Sequence, residues 1–192
     1  MIVAHRKNIQ DLKADLSQYK KILVLGCGTC VTVCLAGGER EVGMISSALR
    51  IAYKLGNDEH EVAERTIERQ CENEFIEDIL EEVKNADAVL SLACGAGVQA
   101  IAERYPNIPV YPGLDTMFIG VLQEQGIWTE KCAACGSCVL GTYGAVCPVT
   151  RCSKSLLNGP CGGAREGKCE VSPEIDCGWQ LIYDRLKALG QL

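Results

Sequence analysis

KKILVLGCG, residues 20–28, decides the fold of the first half of the chain. Residues 22–25 are apolar without a break, and the run ends in Gly26-Cys27-Gly28. That is the pattern of a strand buried on both faces that enters a tight turn. A second stretch of the same kind, DAVLSLACGAG at 87–97, ends in Cys94-Gly95-Ala96-Gly97. Upstream, Ile9, Leu12, Leu16 and Tyr19 recur at helical spacing behind Asn8, a candidate N-cap. Between the two strands, Val42, Ile45, Leu49, Ala52 and Leu55 predict a helix over 38–55, stopped by Gly56-Asn57-Asp58.

HEVAERTIERQC, residues 60–71, fits helix or strand by pattern alone. We read its end, up to Cys71, as a strand, because the helix marked by Phe75, Ile76, Ile79, Leu80 and Val83 needs one before it. A short helix through Val98, Ile101 and Tyr105 and a strand near 108–111 complete the alternation. The expected fold is therefore α/β: a small doubly wound, Rossmann-like parallel sheet over residues 1–126. Residues 112–131 read as a linker with some apolar content, Leu114, Met117, Phe118, Val121, Leu122 and Trp128. An irregular cysteine-rich metal-binding module follows over 127–192, closed by a terminal amphipathic helix through Trp179, Leu181, Ile182, Leu186 and Leu189.

The chain has 192 residues, 47% hydrophobic and 23% charged, which is globular composition. Its net charge is −6, with no basic tract, so nucleic acid is not an expected partner. Residues 127–192 carry seven Lys/Arg against six Asp/Glu, which leaves the first 126 at −7. The amino terminus lacks the apolar core of a signal peptide, and no window approaches the ~18 apolar residues of a membrane span. The expected location is the cytoplasm, where thiols stay reduced and dense cysteine points to metal. The odd count of 13 cysteines also fits poorly with complete disulfide pairing.

Eight of those cysteines lie in 132–177, among glycine, proline and short polar residues. Such a segment cannot order itself by burying apolar surface, so a cross-link must do so. It opens with Cys132-Ala-Ala-Cys135-Gly-Ser-Cys138, the C-x2-C-x2-C triplet that holds three corners of a [4Fe–4S] cluster in bacterial ferredoxins. Cys147-Pro148 follows after eight residues where ferredoxins have three, and Cys152, Cys161, Cys169 and Cys177 remain. Eight thiolates suit two sites, or one cluster and a zinc bound by four thiolates, since C-x2-C pairs also build zinc ribbons. Arg151, Lys154, Arg165 and Lys168, with the backbone of Gly136, Gly162 and Gly163, are placed to offset the thiolate charge; solvated loop charges are the bland reading of the same residues.

The other five cysteines form a second candidate. Cys27-Gly-Thr-Cys30-Val-Thr-Val-Cys34 is C-x2-C-x3-C. Cys27, Cys71 and Cys94 fall at the carboxyl ends of the expected strands, the edge where open α/β sheets bind ligands. Cys27, Cys30 and Cys34 with Cys94, or with Cys71, make four thiolates suited to a cubane; inert buried thiols are the alternative. A nucleotide reading of Gly26-Cys27-Gly28 is weak, because Val31 stands at the third glycine position. An unligated Cys71 acting as a nucleophile is a third reading. His5 and His60 lie in polar segments away from the cysteines, and no hydrolytic triad, P-loop or paired carboxylate frame is present.

CGSCVLGTYGAVCPVTRCSKSLLNGPCGG, GKCEV and CGW, with LGCGTCVTVCLAGGEREV, RQCE and SLACGAGVQ upstream, resemble methylenetetrahydrofolate reductases. The resemblance is to the small iron–sulfur subunit, MetV type, of the two-subunit enzymes, including its cysteine-rich carboxy-terminal module. Tyr143-Gly144-Ala145-Val146 stands where a Gly-Gly-Ile is expected before Cys147. The resemblance implies an electron-transfer subunit that is not catalytic alone. It would exchange electrons with a flavin-containing subunit that interconverts methylenetetrahydrofolate and methyltetrahydrofolate, and with a further electron-donor complex. It implies two or three [4Fe–4S] clusters, with zinc an alternative at one carboxy-terminal site. The rival expectation is a zinc-stabilised structural or adaptor subunit that carries no electrons.

Overall fold

The computed structural model describes residues 1–192 and divides into two compact units, Met1–Met117 and Phe118–Leu192. The first unit runs β1 (Ile2–Arg6), α1 (Ile9–Leu16), β2 (Lys21–Cys27), α2 (Cys30–Val33), α3 (Glu39–Leu55), β3 (Glu61–Ile67), α4 (Asn73–Glu77), α5 (Leu80–Lys84), β4 (Ala88–Leu92), α6 (Gly95–Arg104) and β5 (Val110–Pro112). Four of these strands form a parallel sheet in the order β3-β2-β4-β5. The chain starts at β2, lays β3 on one side, then crosses to lay β4 and β5 on the other. The boundary between β2 and β4 is thus where the winding reverses, the place at which such sheets open a crevice.

The unbroken apolar run of β2 is buried along its whole length after Lys21. Leu23 and Leu25 pack with Ile67 and Val89 against Ile76, Ile79, Val83 and Ile101 of the α4–α6 region. Ile22 and Val24 alternate to the opposite face. Helix α3 packs on β2 and β3, and α1 on α3. Both helices start where a cap is available. Asn8 Oδ1 accepts the Gln10 N–H at 2.8 Å, and the buried carboxylate of Glu41 accepts the Gly38 N–H at 3.1 Å.

The structure differs from expectation in four places. Strand β1 precedes α1; its five residues are too short and mixed in polarity to announce a strand. The expected strand through Cys71 ends at Ile67, so Cys71 lies four residues beyond it in a turn. The single helix expected after it is two short ones, α4 and α5, with Ile76, Ile79 and Val83 still all buried. Residues 112–131 are no linker. They hold β6 (Leu114–Glu124), which begins in the first unit and continues into the second, and β7 (Ile127–Cys132), antiparallel to it. Gly126, at φ 88°, makes the tight turn between them.

The second unit continues with α7 (Pro148–Arg151), β8 (Lys168–Cys169), β9 (Ser172–Asp176) and α8 (Gly178–Ala188). Helix α8 is the amphipathic helix expected at the end of the chain. Trp179 on it stacks edge-on with Tyr143 and donates its indole N–H to the Leu156 carbonyl at 3.1 Å. Apart from Pro148, the buried apolar side chains of this unit are Ile182 and Cys177. Two or three side chains are a very small core for 75 residues, where each ordered residue costs roughly 1–2 kcal/mol of backbone entropy. All 13 cysteines are free thiols. No helix is long and apolar enough to cross a membrane.

Candidate metal centre

At the carboxyl edge of the parallel sheet, β2 ends on Cys27, which is 7% exposed. Its Sγ donates to the Glu68 carbonyl at 3.8 Å and lies 3.8 Å from Thr29 Oγ1. Thr32 Oγ1 holds the turn by donating to the Cys27 carbonyl at 2.7 Å. Cys30 is the first residue of the one-turn α2 and is partly exposed. Cys94 follows β4 and is the N-cap residue of α6, also partly exposed. Cys71 is exposed on the turn after β3.

Gln70 fixes that turn. It is fully buried, donates through Nε2 to the Leu25 carbonyl at 2.8 Å, and accepts from Ser91 Oγ at 2.6 Å. Leu25 and Ser91 are register partners on β2 and β4. One amide therefore bridges the two strands two residues before Cys27 and three before Cys94. Gly97 lets α6 close on this turn, since a Cβ there would lie 2.9 Å from Gln70 Cβ and 2.8 Å from Ala93 Cβ. Nothing in the polar stretch around Gln70 marks it in the sequence.

The Cys71 thiol is pushed up, first by loss of solvent over the crowded rim and then by the charges of Cys27, Cys94 and Cys30. Cys34 is placed differently. It is 6% exposed and its Sγ donates to the carbonyls of Ala4 at 3.8 Å and Val31 at 3.6 Å. Burial pushes its thiol up. Of the five candidates, Cys27, Cys30, Cys71 and Cys94 follow the carboxyl ends of β2, β3 and β4, and the Sγ of Cys34 is turned to the Ala4 carbonyl of β1.

In the second unit, several cysteines sit in turns that aim an N–H at sulfur. Ala134 N–H donates to Cys132 Sγ at 3.4 Å from a left-handed backbone (φ 51°), and Gly163 N–H donates to Cys161 Sγ at 3.5 Å. Burial alone would raise the Cys147 thiol, but the N–H and hydroxyl of Thr150 and the N–H of Val149 outweigh it and pull it down. Cys169 is pulled down by the Val171 N–H and next by the Ser153 hydroxyl, 3.6 Å away, with Lys154 adding charge. Lys154 also pairs with Glu170, whose carboxylate accepts from Cys161 Sγ at 3.7 Å. The N–H and hydroxyl donors, unlike the Glu170 carboxylate, are of the kind that stabilises and orients thiolate ligands.

Cys177, the N-cap residue of α8, is buried beside Cys152: at Gly178 a Cβ would meet the Arg151 carbonyl carbon and oxygen at 2.6 Å and Cys152 N at 2.8 Å. Cys135 and Cys138 are exposed in irregular backbone, with Cys135 Sγ donating to the Ser137 carbonyl at 3.7 Å. Of the groups expected to offset thiolate charge, Gly163 and Lys154 do so, while Lys168 is engaged with Asp176 at 2.6 Å.

No three His, Cys, Asp or Glu side chains are drawn together closely enough to hold a single metal ion. His60 stacks on Tyr53 at 3.7 Å, and its Nδ1 lies 2.8 Å from the Tyr19 carbonyl oxygen, a structural role. The cleft beside Gly28 is lined by Glu39, Glu64 and Glu68 with Arg65. That carboxylate lining is inhospitable to a pyrophosphate and weighs against nucleotide binding at this turn.

Four cysteines follow strand ends on one edge of the parallel sheet, and eight lie in a unit with little apolar core; their chemistry is that of thiolate ligands, although no three of them are drawn together here. No protein of curated function and no solved structure matches the chain. Residues 111–192, which include the whole second unit, match the family described as methylene-tetrahydrofolate reductase C terminal. This part of the chain is similar to that family, and the match supports a relation of the protein to methylenetetrahydrofolate reductases and an oxidoreductase context.

Proposed function

We propose that the chain is the iron–sulfur, electron-transfer subunit of a methylenetetrahydrofolate reductase. It exchanges electrons with a flavin-containing catalytic subunit and takes them from a separate donor. The observation that carries this reading is that Cys27, Cys30, Cys71 and Cys94 all follow the carboxyl ends of strands of one parallel sheet, in a chain whose other unit matches the reductase family. Bound [4Fe–4S] clusters would supply one-electron transfer at a potential set by their surroundings.

The residues of the chain do the rest. The rim thiols would hold one centre at a partly exposed edge that a partner can approach. Cys132, Cys135, Cys138 and Cys147 repeat the ferredoxin order and would hold a second. Cys152, Cys161, Cys169 and Cys177 would hold a third centre or a zinc. Backbone N–H groups favour the thiolates of Cys147 and Cys169, and N–H groups also donate to the sulfurs of Cys132 and Cys161; such bonds would tune a cluster held there. On this reading substrate turnover belongs to the flavin-containing partner.

The N–H-to-sulfur turns also suit zinc, which keeps the structural-subunit reading alive for the second unit. An electron-transfer assay separates the two. With a reduced viologen dye and methylenetetrahydrofolate, the isolated chain is expected to give no turnover, and the flavoprotein with the chain to turn over faster than the flavoprotein alone. Turnover by the chain alone, or a flavoprotein indifferent to its presence, contradicts the assignment.

A further inference from the structure

We infer that the second unit carries a binding site for a small organic anion, a dicarboxylate on an apolar body, in a cavity lined by Lys131, Arg151 and Arg185. The inference concerns an organic ligand and does not depend on which metal the thiols bind or on the electron-transfer reading.

The cavity measures about 510 Å3, within the range of small-molecule sites. Lys131 reaches it from β7, Arg151 from α7 and Arg185 from α8; Leu140, Val146 and Leu181 supply apolar wall. No carboxylate lines it. Three of the seven Lys/Arg of residues 127–192 thus stand at one cavity, in a chain whose net charge is −6. The ion pairs of this unit join Lys154 to Glu170 and Lys168 to Asp176 and use none of the three. Two acids lie within electrostatic reach. Asp176 is held low first by Lys168 and more weakly by Arg151, and Glu130, next to Lys131, is felt at Cys147. Neither lines the cavity. Converging cations without a paired acid repel one another until an anion joins them.

The cations are placed by contacts of the fold. Thr150 Oγ1 donates to the Lys131 carbonyl at 3.2 Å and so ties α7 to β7. The stem of Arg185 lies on Gly144, where a Cβ would come within 2.9 Å of Arg185 Cγ. Gly144 and Ala145 are both left-handed, at φ 59° and 64°, and the Ala145 N–H donates to the Leu140 carbonyl at 2.8 Å. Ala145 has a Cβ, so the cavity wall there holds strained backbone, as ligand-shaped walls often do.

The lining selects the ligand class. Guanidinium forks match carboxylates in two parallel hydrogen bonds, and a lysine adds a point charge. The apolar wall calls for a ring or alkyl body, which inorganic phosphate lacks. A cubane takes four thiolates, and Cys147 is the single thiol on this cavity.

The test is isothermal titration calorimetry on the full chain purified without oxygen. The probes are p-aminobenzoyl-glutamate, an aromatic dicarboxylate that also forms the tail of folates, suberate as an aliphatic one, and inorganic phosphate. One-site binding of a dicarboxylate is expected, weakening as salt rises. Lys131 and Arg185 are exposed, so Lys131→Glu and Arg185→Glu should keep the wild-type metal content and circular dichroism melt. Each is expected to weaken binding about tenfold or more, with Arg185→Lys retaining part of it. Preference for p-aminobenzoyl-glutamate over suberate assigns the site to aromatic acids, and the reverse to aliphatic ones. No saturable binding of either dicarboxylate overturns the inference. So does wild-type affinity in the Lys131→Glu/Arg185→Glu double variant, or phosphate binding as tightly as both dicarboxylates.

Discussion

On the proposed reading, in which metal orders the second unit, removing it under reducing conditions is expected to unfold residues 118–192 while the parallel sheet of the first unit stays intact. The second unit buries Ile182, Cys177 and Pro148 and little other apolar side chain. Fully burying one aliphatic side chain contributes about 1.5–3 kcal/mol, far below the ordering cost of a unit of this size. Metal bound by thiolates contributes on the order of 10 kcal/mol at neutral pH in small structural sites, which is the scale required. The first unit has β2, β4 and the helices around them packed into an ordinary core, with Leu23, Leu25, Leu90 and Leu92 all at 0% exposure. Hydrogen exchange followed by mass spectrometry reads both units in one experiment. Protection should vanish across the second and persist in β2 and β4; equal protection with and without metal contradicts a metal-ordered unit.

Gly178→Val is the point change with the largest expected consequence. A side chain there meets three backbone atoms, the Arg151 carbonyl carbon and oxygen and the Cys152 nitrogen, none of which can swing aside. Overpacking of this kind costs about 1–3 kcal/mol where neighbours can adjust and more where they cannot. The damage also reaches chemistry, because Cys177 and Cys152 flank the contact. The variant is expected to lose the metal proposed for the Cys152–Cys161–Cys169–Cys177 group and to become sensitive to limited proteolysis after residue 118. Full metal content at wild-type protease resistance would show that this contact is not required.

Much of the first unit was readable because its core strands advertise themselves. Residues 22–25 and 88–90 are apolar without interruption, and α1 and α3 keep helical period behind a capping residue. What was not readable depends on distant partners. β1 is five residues of mixed polarity. β6 and β7 carry their apolar residues on strands that remain half exposed, so the same composition read as linker. HEVAERTIERQC alternates poorly, and its strand stops at Ile67, so Cys71 lies in the turn beyond the strand's carboxyl end and not on the strand itself.

The candidate site divides the same way. Spacing identified the cysteines, since thiols in C-x2-C pairs can share a metal whatever the fold. Spacing could not say that Cys34 is turned inward, because that follows from how short α2 is and from the carbonyls of Ala4 and Val31 beneath it. Gln70 carries no sequence signal at all. A glutamine among Glu68, Arg69 and Glu72 reads as one more solvated side chain until β2 and β4 close around it.

Iron and acid-labile sulfide, measured together with the visible spectrum on the chain purified without oxygen, test the central claim most directly. The account predicts a brown protein with two or three [4Fe–4S] clusters' worth of iron and matching sulfide, bleached by dithionite. A colourless protein whose thirteen thiols hold only zinc, or no metal, would contradict it.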